Sequence, residues 1–170
     1  MGLHVIVDGY NFLNAQPGMA ELLARDLEGA RAALLAELSG YRKRKGHQVT
    51  AVFDGRRATG LPPGAARGTK VGGVGVVFSR PGQEADEVIR EMAKRSGMRA
   101  VVVTADVALA ESCRRHGAAI VSPDEFAALL AEGEPADEAE DEEEGGAPKK
   151  GPAHRPPRRE RRERLRKQKL

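Results

Sequence analysis

Five short strand-like runs separated by helical stretches constrain this chain more than any other feature. Residues 3–7 (LHVIV), 48–53 (QVTAVF), 74–78 (VGVVF), 99–104 (RAVVVT) and 118–121 (AAIV) are rich in β-branched side chains and nearly continuous in apolar character. Between them the period changes from two to 3.6. Ala30, Leu34, Leu38 and Tyr41 fall on one helical face with Leu35 beside it, and Ala85, Val88, Ile89 and Met92 share another. Residues 107–116 and 123–130 read as two further helices, the second with Ser122 as N-cap and Pro123 as first helical residue. The cations Arg42, Lys43, Arg44 and Lys45 suit the negative end of a helix that Gly46 would close. Strands buried on both faces and alternating with helices predict an α/β fold, a mainly parallel sheet covered on each side.

A chain of 170 residues with 40% apolar and 31% charged residues has room for one such core. No stretch approaches the ~20 apolar residues of a membrane span. The first seven residues lack the basic flank of a secretory leader, and Ile6 stands where a myristoylation signal needs Ser or Thr. The single cysteine, Cys113, cannot form an internal disulfide, so a cytoplasmic chain with a reduced thiol is expected.

Charge divides the chain further. Residues 1–131 carry net +3, 132–146 carry net −9 and 147–170 carry net +9. This predicts a folded body over 1–131, an acidic disordered spacer over 132–146 and a basic disordered arm over 147–170. Within the arm, Glu160–Arg164 and Glu163–Lys167 are spaced for a helix formed on a partner. Residues 55–73, mostly Gly, Pro, Arg and Lys, read as a long mobile surface loop.

Where the acids fall points to chemistry. Asp8 follows the first strand, Asp54 the second and Asp106 the fourth, and Asp86 opens the helix after the third. In an open parallel sheet such positions line one crevice. A single Asp after a strand is ordinarily a helix cap or turn residue, and Asp106 is placed to cap the helix at 107. Asn11 alone would cap the turn after the first strand, and Glu84 reads as a supporting acid or as the first-turn acid of its helix. Convergence of four acids from distant segments instead predicts mutual repulsion relieved by a cation. Oxygen ligands favour Mg²⁺ or Mn²⁺, and such an ion supports phosphodiester hydrolysis. Two other acid-rich α/β designs do not match. A haloacid-dehalogenase-type site needs a second Asp where Tyr10 stands, and a response-regulator receiver needs a late Lys that residues 96–148 lack.

Four motifs in order, Val7-Asp8-Gly9-Tyr10-Asn11, Val52-Phe53-Asp54-Gly55, Ala85-Asp86-Glu87-Val88-Ile89 and Val103-Thr104-Ala105-Asp106, resemble the YacP-like branch of the NYN nucleases, relatives of the PIN-domain ribonucleases. The resemblance spans about residues 3–130. It implies a three-layer α/β/α PIN-like sandwich, a divalent-metal site and endoribonuclease activity, in some members on ribosome-associated mRNA. It further implies that Asp8, Asp54, Asp86 and Asp106 form the acidic constellation, with Asn11 as its polar companion. Asp8 and Asp106 are the expected first metal ligands. Asp86 and Asp54 complete the ring, binding a second ion or orienting the attacking water, for a cut leaving a 5′-phosphate and a 3′-hydroxyl. Ala105 departs from the small polar residue frequent before the family's last Asp, and removes a hydroxyl that would help position substrate.

A polyanionic partner is expected from the cations. Arg56, Arg57, Arg67 and Lys70 follow Asp54 in one loop, and Arg158, Arg159, Arg161 and Arg162 crowd the arm. For any one loop Arg, simple solvation is the commoner role. The arm as a whole is an electrostatic RNA-binding element, with ribosomal RNA an anchor the resemblance suggests. The competing expectation is a non-catalytic RNA- or ribosome-binding protein that keeps the fold; a DNA-directed nuclease stands third. None of the scattered histidines, His4, His47, His116 and His154, has ligand spacing.

Overall fold

The computed structural model describes residues 2–57, 68–132 and 158–170, with backbone alone for 158–162. In chain order the elements are β1 (His4–Asp8), α1 (Gly9–Ala15), α2 (Pro17–Arg25), α3 (Leu27–Lys45), β2 (Gln48–Phe53), a 3-10 turn (Gly55–Arg57), β3 (Thr69–Val71), β4 (Val74–Phe78), α4 (Ala85–Ser96), a 3-10 turn (Gly97–Arg99), β5 (Ala100–Val103), α5 (Val107–Arg115), β6 (Ala119–Val121), α6 (Pro123–Ala131) and α7 (Arg158–Lys167). The sheet runs β3-β4-β2-β1-β5-β6, parallel throughout except for the antiparallel β3–β4 pair.

Alternation along each strand divides the core between two faces. Val5, Val7, Ala51, Phe53, Val101 and Val103 meet Phe12, Leu34, Leu38, Tyr41 and Phe126 on one side. Ile6, Val52, Val102 and Ile120 meet Ile89, Ala93, Leu109 and Cys113 on the other. Helices therefore cover both faces, the α/β sandwich expected. Burial pushes the Cys113 thiol up to about 11, so it behaves as a small core hydrophobe. Helix ends follow their side chains. Asp26 accepts from the Gly29 amide, Gly46 closes α3 at φ 70°, and Ser122 and Glu125 form a reciprocal capping box.

Three segments depart from the expectations. Residues 9–25, given no helix above, form α1 and α2: Tyr10, Phe12 and Leu13 bury one side of α1, and Pro17 opens α2. The expected loop 55–73 ends in a hairpin, in which Gly72 and Gly73 at φ 57° and 84° turn β3 into β4; residues 58–67, Arg67 among them, lie outside the described residues.

The largest departure is at the C-terminus. Residues 158–170, expected to be disordered, hold α7 and a tail packed against the body. Glu163 accepts from the Ile120 amide on edge strand β6, and Arg166 donates to the carbonyls of Met98 and Gly117. Leu170 is buried, and its carbonyl accepts from the Tyr41 hydroxyl. The partner of this helix is the chain's own sheet edge. The acidic spacer and the rest of the arm fall outside the described residues. Among the described residues, no helix is long and apolar enough to cross a membrane.

Candidate active site at the carboxyl edge of the sheet

Strand order places the first two motif acids. After β1 the chain moves to β2 and β4 on one side, then returns to β5 and β6 on the other, so β1 flanks the point where direction reverses. Ligands bind at the carboxyl ends of strands beside such a point. Asp8 is the last residue of β1, paired in register with Val52, and Asp54 follows β2 directly. Both are followed by glycine, at positions where a neighbouring group leaves no room for a side chain. A Cβ on Gly9 would collide with the Phe53 ring, and one on Gly55 with the Ser79 carbonyl oxygen.

Asp8, Tyr10, Asn14, Asp54, Arg57, Glu84, Ala85 and Asp86 line a cleft of about 290 Å³. Asp106 follows β5, the neighbour of β1. Asp8 is 8% exposed, and its carboxyl is pushed up to about 7. Burial is the main cause and the Asp86 charge the next, with Asp106 adding less; the Asn11 amide and the Thr104 hydroxyl oppose them. Asp86 is also held above the usual carboxylate range, by burial first and then by Asp106, while Arg90 at 3.8 Å opposes the rise and Glu84 adds to it. Negative charge on Asp86 and Asp106 thus raises the cost of ionising Asp8, the condition that an added cation relieves.

The fourth acid is held differently. The Arg56 amide donates to Asp54 Oδ1 at 2.9 Å, so this carboxylate organises its own turn while lining the cleft. Asp106 also has two duties. Its Oδ1 caps α5 by accepting from the Leu109 amide at 2.8 Å, the role its position suggested, while its charge reaches Asp86 and Asp8.

Two side chains tie the β5–α5 connection to β1 and α1. Asn11 Oδ1 accepts from the Ala105 amide at 2.9 Å, so Asn11 sits in a helix and not in the turn expected for it. Thr104 is buried, donates from its hydroxyl to Asp8 Oδ2 at 3.4 Å and accepts from the Asp106 amide at 3.1 Å. Sequence reasoning did not single out Thr104. Its signal was a hydroxyl at a strand end, two residues before a motif acid.

Among the expected RNA contacts, Arg57 is in the cleft lining, its guanidinium carbon 5.5 Å from the Tyr10 ring centroid. Arg56 is exposed in the same turn. Lys70 is exposed on β3 and outside the cleft lining. Arg158, Arg159, Arg161 and Arg162 belong to α7, which packs on β6. Asn14 and Glu84 complete the cleft. Glu84 is also the N-cap residue of α4, while Asn14 was missed, though it lies one helical turn from Tyr10.

Among the described residues, no three carboxylate, imidazole or thiolate groups stand close enough to enclose one ion. The donor set therefore does not suit a closed protein cage. It suits a hard, oxygen-seeking ion that takes one or two carboxylates and keeps several waters, as Mg²⁺ does.

The YacP-like NYN domain model matches residues 5–169. The chain belongs to the YacP-like NYN family. This nuclease-like domain thereby includes α7, which charge alone had set apart from the body. A Bacillus subtilis (strain 168) protein described as uncharacterized protein YacP is 32% identical over 90 residues. That alignment spans about half of each protein, 53% of this chain and 51% of the relative. The crystal structure of Rae1 (YacP) from Bacillus subtilis superposes with a TM-score of 0.64 at 28% identity, covering 78% of this chain and 75% of that one. A crystal structure of a tryptophan-to-leucine mutant of the same protein gives 0.63 at 27%, covering 78% and 76%.

Proposed function

We propose that this NYN domain is a divalent-metal-dependent endoribonuclease, acting on RNA phosphodiester bonds and in the cell on ribosome-associated mRNA. The observation that carries the reading is the cleft that Asp8, Asp54 and Asp86 line together with Arg57. Asp106 stands outside that lining at the end of the neighbouring strand β5, its charge adding to the repulsion on Asp8 and Asp86. An anionic crevice repels RNA by itself, so a bridging cation and a nearby guanidinium give it a reason to face a polyanion.

Asp8 and Asp106 would hold the ion, with Asp86 and Asp54 at its flanks. A bound Mg²⁺ or Mn²⁺ supplies positive charge at a phosphoryl oxygen and makes water a better nucleophile near neutral pH. The protein's own groups supply the rest. Arg57 draws a phosphate to the cleft through charge-assisted hydrogen bonds. Asp86 accepts a proton of the attacking water and so aims its lone pair at phosphorus. The new P–O bond forms in line as the bond to the 3′-oxygen breaks. The 3′-oxygen takes a proton from bulk water and leaves as a hydroxyl, the proton on Asp86 returns to solvent, and the phosphate stays on the 5′ end. Thr104 and Asn11 keep Asp8, Ala105 and Asp106 in register throughout.

A circular single-stranded RNA, which offers no ends, tests the reading. Linear product in Mn²⁺ or Mg²⁺, absent in chelator and in Asp8→Asn, supports it. RNA that is bound but stays circular, both free and when presented on ribosomes, overturns it in favour of a binding protein that keeps the fold.

A further inference from the structure

Arg31 lies near the start of α3, away from all four motifs, yet it is 7% exposed and reaches two residues of the cleft lining. Its Nη1 donates to the Tyr10 hydroxyl at 3.2 Å and to the Arg57 carbonyl oxygen at 3.5 Å. Its guanidinium carbon stands 5.5 Å from the Phe78 ring centroid. Tyr10 packs on Phe53 at 5.1 Å and Phe53 on Phe78 at 5.5 Å, so the guanidinium sits against an aromatic row running from cleft to sheet.

The turn it touches is also held by its own backbone amides. The Arg57 amide donates to the Asp54 carbonyl at 3.2 Å, the Arg56 amide to Asp54 Oδ1, and the Gly55 amide to Ser79 Oγ at 2.9 Å. Those bonds fix the backbone of the turn. The end that carries the Arg57 side chain meets α3 through Arg31, and the Tyr10 ring on which Arg57 stacks is held by the same guanidinium. A planar, forked cation can engage a hydroxyl, a carbonyl and an aromatic face together; an ammonium on a flexible stem cannot.

We infer that Arg31 is a positioning residue for RNA binding, setting Tyr10 and the Asp54–Arg57 turn so that the Arg57 guanidinium grips a backbone phosphate beside the carboxylates. The inference rests on the nuclease reading and names the part of the site that holds the strand. Arg31 acts through Arg57 and makes no contact with RNA itself. Arg31→Lys and Tyr10→Phe therefore weaken the grip without touching a carboxylate.

The test is a mutant cycle on the full chain with a fluorescent single-stranded RNA. Binding is followed by anisotropy in Ca²⁺, cleavage by steady-state kinetics in Mn²⁺, and folding by thermal melts. Arg31→Lys, and Tyr10→Phe with its ring retained, should each raise Kd and KM about three- to tenfold with kcat nearly unchanged. Arg57→Ala should do the same and lower the salt dependence by about one phosphate contact. The doubles Arg31→Lys/Arg57→Ala and Tyr10→Phe/Arg57→Ala should bind no worse than Arg57→Ala alone. Additive losses, an unchanged salt slope in both Arg31→Lys and Tyr10→Phe, or a fall in kcat that tracks melting temperature would overturn the inference. If wild type binds RNA but does not cut it, the nuclease reading falls while the binding cycle still decides the role of Arg31. If wild type binds no RNA, both fall.

Discussion

At the scale of single residues, Asp8 is held far from its ordinary ionisation. Its carboxyl ordinarily titrates at 3.8 and in the fold at about 7, mainly through burial. A raised carboxyl stabilises the fold below its unfolded value, and that contribution is lost as pH rises through the folded one. Metal-free protein should therefore lose about 3–4 kcal/mol from this group between pH 4 and pH 8. Asp8→Asn should melt higher than wild type at pH 8 in chelator and lose its advantage towards pH 4; equal melting at pH 8 would contradict the description of Asp8. His4 has the opposite sign. Burial first, then Arg99 and Arg95, lower its pKa while Ser96 and Thr50 bond its ring, so its contribution fades as pH falls below about 6.5. Comparing Asp8→Asn with wild type at each pH cancels the His4 part. Thr104→Val keeps the shape and removes the hydroxyl that joins Asp8 to the Asp106 amide. It should lower cleavage about tenfold, read as kcat, with the fold intact by circular dichroism. The four acids were legible because they stand at strand ends and at the start of a helix. Thr104 and Arg31 were not, because a hydroxyl and a lone cation in a helix reveal their partners only once distant segments meet.

At the scale of elements, the long and strongly periodic ones could be read directly, and the short or polar ones could not. Helix α1 has seven residues, and Gly9 and Asn11 disguise it as a turn. Strand β3 has three exposed residues, and its only signal was the Gly72–Gly73 pair before Val74. Helix α7 was hidden because it docks through polar groups. Leu165 faces outward at 58% exposure, while Glu163, Arg166 and Lys167 hold the body by hydrogen bonds and an ion pair with Glu125. No apolar period announces that kind of packing. Its position closes the outer edge of β6, which otherwise offers unpaired strand groups to another chain. Glu163→Ala leaves the Ile120 amide without its acceptor and should cost about 1–2 kcal/mol. Removing 158–170 also uncovers the Tyr41 hydroxyl and the Leu170 pocket, and should lower the melting temperature by about 5 °C or more and promote self-association. A truncated chain that melts with wild type and stays monodisperse would show that the helix does not hold the edge.

At the scale of the whole molecule, one sheet with one reversal of direction explains why acids scattered over about 100 residues of sequence face one another. The near-neutral body concentrates negative charge in that crevice, sets Arg57 in its lining and keeps α7 at the far edge beyond β6. The α/β class and the crevice followed from strand-like runs ending in acids. Where charge would act did not, because net charge per segment says nothing about which side of the sheet a segment covers. The most direct test is single-turnover cleavage of one end-labelled RNA across a Mn²⁺ titration, with wild type beside Asp86→Asn and Asp106→Asn. Wild type should cleave with a saturable dependence on the metal. Both variants, with a wild-type fold, should lose at least about a hundredfold in rate. Cleavage that persists in chelator, or that both variants retain, would contradict a carboxylate-held metal as the centre of the activity.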